Sequence, residues 1–110
     1  MNVEKNKNYT LISSDENTFV EFFASFLSKE KELAAEHLIV QLSNNINTTK
    51  EDYLLFLDFA VQKKQNGISF AIISDKAVMD NFPEHFNIVP TFQEAKDILE
   101  MEAMERELGF

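Results

Sequence analysis

His37-Leu38-Ile39-Val40-Gln41-Leu42-Ser43 runs after a short polar gap into Ile46-Asn47-Thr48-Thr49-Lys50-Glu51-Asp52. Leu38, Ile39, Val40 and Leu42 form a nearly unbroken apolar run, the pattern of a strand covered on both faces, because a strand with one wet face alternates apolar and polar residues. This places the strand in the middle of a sheet. The polar loop that follows opens the most apolar helix in the chain, expected from about Lys50 to Asn66 with its main stripe on Tyr53, Leu54, Leu57, Ala60 and Val61. Asn66-Gly67 supplies the stop, since glycine adopts the left-handed conformation that closes a helix. Ile68 to Ser74 is again largely apolar. Strand, helix and strand at this spacing predict a right-handed βαβ unit with parallel strands.

Working outward, Val3 to Lys5 and Tyr9 to Ser13 read as a hairpin around the polar turn Asn6-Lys7-Asn8. Thr18-Phe19-Val20-Glu21 has capping-box spacing, and Phe19, Phe22, Phe23, Phe26 and Leu27 then fall on one helical face that should pack on the sheet. Beyond the central unit, Asp75 to Met79 suggests a short helix ended by Asn81-Phe82-Pro83. Phe86 to Val89 is a strand candidate, and Thr91-Phe92-Gln93-Glu94 opens the last helix. With Thr48-Thr49-Lys50-Glu51, three helices begin Thr-x-x-Glu, a consistent local code for helix starts.

Two features exceed a simple core pattern. Leu55, Phe56 and Phe59 lie away from the main stripe of the central helix, so either the first helix covers them or they form a patch for a protein partner. In the last helix, Phe92, Ala95 and Leu99 are continued on the same face by Glu102 and Arg106, while Met101, Met104 and Leu108 turn to the opposite side. The second half is therefore expected to leave the core face, with Met101, Met104, Leu108 and Phe110 either folding back or forming an adaptable docking surface. Glu100, Glu102, Glu105 and Glu107 read as a solvated face.

With 110 residues, eleven Phe and only two Gly and two Pro, the chain suits one domain spanning residues 1–110, with little room for a linker. The absence of Cys removes disulfide and thiolate chemistry and makes a reducing cytoplasm the expected compartment. No apolar run approaches the roughly 20 residues that cross a bilayer. A net charge of −9 disfavours nucleic acid and anionic membranes as partners, because both attract Lys and Arg. Catalytic signatures are weak. His37 and His85 stand alone, without metal-ligand spacing, and two Gly cannot make a glycine-rich phosphate loop. No cofactor or metal is expected, although a small hydrolase whose site assembles only in space stays open as an alternative.

The order of hairpin, helix, His37 to Ser43, threonine loop, long helix, Ile68 to Ser74 and the closing Pro90-Thr91-Phe92-Gln93-Glu94-Ala95 resembles the STAS domain, the fold of bacterial anti-sigma factor antagonists. The resemblance implies an α/β domain with a mixed four- to five-stranded sheet, an N-terminal hairpin and packed helices. It also implies a non-catalytic signalling role. In that family the loop after the central strand reads Asp-Ser-Ser-Gly, and a partner kinase phosphorylates its second Ser to switch partner binding. Laid onto this chain, Asn47 takes the Asp position, Thr48 and Thr49 the Ser positions, and Lys50 the Gly position. Thr49 is thus the candidate phosphoacceptor, and Asn47, Thr48, Thr49, Lys50, Glu51 and Asp52 form the candidate partner-binding loop. Lys50 and Asn47 depart from the pattern, the first by adding a long side chain and the second by removing a carboxylate. The implied partner is another protein, a regulatory kinase or a sigma-regulating factor; the alternative, apart from the resemblance, is an accessory subunit that binds an enzyme through Met101, Met104, Leu108 and Phe110, and a homodimer stays open. Ribonuclease Z itself is excluded, because its His-x-His-x-Asp-His cluster cannot be built from two histidines.

Overall fold

The computed structural model describes residues 1–44, 46–74, Phe82 and residues 86–109. Phe110 and the expected helix at Asp75 to Met79 lie outside the described residues. Strands β1 (Asn2–Lys5), β2 (Thr10–Ser13), β3 (Leu38–Gln41), β4 (Phe70–Ile73) and β5 (Asn87–Val89) form a sheet in the order β1-β2-β3-β4-β5. β1 is antiparallel to β2, and every later neighbour is parallel. The central strand is β3, as its two-sided apolar run requires.

Helix α1 (Phe19–Lys29) connects β2 to β3, helices α2 (Lys50–Leu54) and α3 (Leu57–Gln65) connect β3 to β4, and α4 (Phe92–Glu107) follows β5. Successive strands always add on the same side, so crossovers of one hand must all lie on one face of the sheet. The two described in full, from β2 to β3 and from β3 to β4, do. Ile12, Leu38, Val40, Phe70 and Ile72 share a buried cluster with Phe22 and Phe26 of α1 and with Tyr53, Phe56 and Ala60 of the α2–α3 segment. The alternate side chains Ile39, Ala71 and Ile73 point the other way and are covered by Ala95 and Leu99 of α4.

The helix expected from Lys50 to Asn66 is two helices. Around Leu55 and Phe56 the backbone tightens, with Leu55 N–H bonding the Asp52 carbonyl at 3.2 Å and Phe56 N–H the Tyr53 carbonyl at 3.0 Å, three residues back instead of four. The buried arc is also rotated from the expected stripe. It runs through Tyr53, Phe56, Ala60 and Lys63, leaving Leu55 and Val61 exposed. The cause is a second neighbour. Phe56 is fully buried, with ring centroids 5.2 Å from both Phe23 and Phe26 of α1 and 6.1 Å from Phe70 of the sheet. Phe59 lies 5.3 Å from Phe26, so α1 covers Phe56 and Phe59, and only Leu55 of that group remains outside. Leu27, expected in the α1 stripe, is likewise exposed.

The stop at Gly67 has the expected form: φ is +72°, Gly67 N–H bonds the Lys64 carbonyl and Ile68 N–H the Lys63 carbonyl, the paired bonds that close a helix C-terminus. Lys63 itself was not legible as a core position. Its Nζ donates to the carbonyls of Leu33, Ala34 and Glu36 at 3.0, 3.2 and 2.9 Å, binding α3 to the turn that follows α1. Burial lowers its pKa below the usual lysine value, against the opposing pull of Glu30 and Glu36.

Candidate functional site

The loop after β3 is fastened at both ends by apolar side chains, since Leu42 and Ile46 are buried while Asn47 and Thr49 are exposed. Thr49 is the N-cap of α2, in an extended conformation at φ −91° and ψ 168°. Its hydroxyl accepts the Asp52 N–H at 3.2 Å, and the Asp52 carboxylate accepts the Thr49 N–H at 3.0 Å. The capping box is therefore Thr49-x-x-Asp52, one residue later than the expected Thr48-x-x-Glu51. Both frames satisfy the spacing rule, because the chain offers two adjacent threonines followed by two adjacent acids. At the other helix starts the expected frame holds, with Thr18 capping Glu21 N–H and Thr91 capping Glu94 N–H, each at 3.2 Å.

This geometry bears on phosphate chemistry. A helix N-terminus attracts anions through its free N–H groups and its dipole. Here the Asp52 carboxylate already occupies the Thr49 N–H, and Glu51 adds a second negative charge in the same turn. Lys50, the added side chain, carries its ammonium to 5.9 Å from the centroid of the Phe82 ring, a cation–π contact. One turn into α2, the buried Tyr53 hydroxyl lies 2.5 Å from the Ser74 hydroxyl, tying the helix to the end of β4. Beside the loop, Ser13, Ser14, Gln41, Ser43 and Asn44 line an open polar hollow of about 280 Å³ at the C-terminal ends of β2 and β3.

The second candidate surface is on α4. Met101, Met104 and Leu108 are 51%, 58% and 72% exposed, so these three side chains do not fold back onto the domain. The opposite face of the helix nevertheless stays on the sheet. Glu102 accepts from the Asn87 side-chain amide at 3.2 Å, and Arg106 donates to the Ser69 hydroxyl at 3.2 Å. The second half does leave the core, since no residue of α4 after Leu99 is buried, but Glu102 and Arg106 keep these polar contacts, which takes Glu102 off the solvated face expected of it. Arg106 and His37 are members of this region that sequence reasoning passed over. His37 Nδ1 accepts the Ser69 N–H at 2.9 Å.

Among the described residues, no group of His, Asp or Glu gathers where it could hold a metal ion, and no helix is long and apolar enough to cross a membrane. No protein-family model and no curated protein matches the chain. A solved structure does: a chain from the stressosome, described as a signal integration and transduction hub, superposes with a TM-score of 0.55 at 13% sequence identity, covering 93% of this chain and 98% of its own. The likeness is one of fold, and the chain has a STAS-like fold: a mixed five-stranded sheet with α1, α2 and α3 on one face and the last helix on the other.

Proposed function

We propose that this chain is a non-catalytic protein-binding module in signalling, contacting its partner through Asn47 to Asp52, the end of the loop and the first turn of α2. The observation that carries the reading is the loop itself: an exposed polar segment at the end of the central strand, anchored by buried Leu42 and Ile46 and closed by the Thr49 and Asp52 pair. Loops held on a rigid scaffold are where binding residues concentrate. The similarity to a stressosome chain, a component of a signalling hub, supports the same class of role.

In this reading Thr49 acts first as a helix cap. Phosphate on its oxygen would have to displace the Asp52 carboxylate from the Thr49 N–H and sit beside two acids, a like-charge arrangement that weakens a switch of the family kind. A second reading, in which an enzyme or other protein binds α4, is favoured by the exposure of Met101, Met104 and Leu108.

Affinity capture with quantitative mass spectrometry separates the two. The comparison is between wild type, Thr49→Glu, and a chain carrying Met101→Ser, Met104→Ser and Leu108→Ser. Loss of a partner from the Thr49→Glu sample alone supports the loop. Loss from the triple variant alone overturns it in favour of α4. Mass analysis of the Thr48-Thr49 peptide in the same samples reports modification, and full phosphate occupancy at Thr49 would overturn the cap-only role.

A further inference from the structure

At the N-terminal ends of β2 and β3, the edge opposite the Asn47 to Asp52 loop, a cavity of about 370 Å³ opens between the sheet and α4. Tyr9 and Leu99 give it an apolar lining, while Lys7, His37, Lys96 and Arg106 stand around it. A chain of net charge −9 thus brings three of its ten Lys and Arg residues to one hollow. Glu100 also lines the cavity, yet among the described residues no carboxylate stands at ion-pair distance from any of these three cations. The Lys96 ammonium rests 5.6 Å from the centroid of the Phe92 ring and Arg106 bonds a neutral hydroxyl, so neither positive charge is neutralised, and an anion bound in the hollow would do so.

Two of the groups are held in place. Arg106 donates one guanidinium N–H to the Ser69 hydroxyl, and its Cδ passes 3.7 Å from where a side chain on Gly67 would begin. The other guanidinium donors remain for a ligand. Because His37 Nδ1 accepts the Ser69 N–H, the neutral ring carries its proton on Nε2 and offers a donor there.

We propose that this cavity binds a small organic anion, a carboxylate or phosphate carried on an apolar body. Guanidinium and ammonium groups recognise both headgroups. The Tyr9 and Leu99 lining takes the body, and the volume lies near the lower end of small-molecule sites, roughly 300 to 1,000 Å³. The site lies away from the proposed partner loop and does not depend on it.

Amide-resolved NMR titration of the full chain with phenyl phosphate, benzoate and inorganic phosphate tests the assignment. Saturable shifts at Tyr9, His37, Leu99 and Arg106 are expected with an organic probe, and the tighter of the two organic probes identifies the headgroup. Inorganic phosphate, which lacks the apolar body, should bind more weakly. Arg106→Gln and Lys96→Gln should each weaken binding by about tenfold or more, the loss expected for one charged hydrogen bond. Lys29→Gln, on α1 across the sheet, should leave it unchanged. Lys96→Gln keeps the test decisive if Arg106→Gln proves unfolded by circular dichroism. Absence of saturable shifts with every probe, unchanged affinity in folded variants, or equal affinity for inorganic phosphate would overturn the proposal.

Discussion

Thr49 and Asp52 hold each other by two reciprocal hydrogen bonds, one from each backbone N–H to the other's side chain. The pair satisfies two donors that a helix start otherwise leaves open. Thr49→Ala should cost about 1 kcal/mol of stability, and Thr49→Ser should retain most of it. Urea unfolding of the three proteins checks this, and an unchanged midpoint in Thr49→Ala would show that the cap contributes nothing.

Phe56 joins three layers, since its ring meets α1 and the sheet while its backbone forms the tight turn between α2 and α3. Phe56→Ala should destabilise by about 3–5 kcal/mol, the range for a fully buried aromatic. Its neighbour Leu55 is half exposed, and Leu55→Ala should stay within about 0.5 kcal/mol of wild type. Thermal melts of the two variants should differ widely despite adjacent positions.

Lys63 has a position whose charge is costly to bury and whose donors are costly to lose. With Lys63→Met the ammonium disappears, but the carbonyls it serves at Ala34 and Glu36 lose a donor. Losing a donor to these partly buried acceptors outweighs the relief of burying no charge, at a net cost of about 1 kcal/mol. Gln62→Ala on the exposed side of α3 should be near neutral. Equal stability of Lys63→Met and wild type in urea would mean that the clasp is dispensable.

His37 makes stability depend on pH. Burial holds its imidazole below the usual value of about 6.5, reinforced by the nearby charges of Arg106 and Lys63 and opposed by Glu102. Between the folded value and about 6.5 the unfolded chain binds more protons, so stability rises with pH across that window and falls on acidification. The urea midpoint should therefore drop as pH is lowered from 7 through 6. His37→Gln should flatten that slope, and an identical slope would assign it to other groups.

Much of the fold is legible in residue patterns because the decisive signals are local. The apolar run at Leu38 to Leu42, the threonine caps and Gly67 each act within a few residues, and the strand, helix, strand spacing makes β3 and β4 parallel. The stripe of the central helix was misjudged for a nonlocal reason. A helix squeezed between a sheet and another helix buries a wider arc, and Phe56 and Lys63 join it only because α1 and its following turn lie beside them. A loop does follow the central strand, but Lys50, Glu51 and Asp52 belong to the first turn of α2, and the capping frame is ambiguous between two adjacent threonines. His37 and Arg106, far apart in the chain, come together through Ser69, a meeting that no spacing rule announces.

The one-sided placement of the crossovers has a consequence for biosynthesis. As the chain emerges, β2, β3 and β4 receive cover on their first face from α1, α2 and α3, which are made between them. The second face has no such cover until residues 92–107 have been synthesised. During that interval Ile39, Ala71 and Ile73 present a wet apolar sheet face, the kind of surface that promotes association of nascent chains. The last helix is therefore the step that ends the chain's most adhesive period.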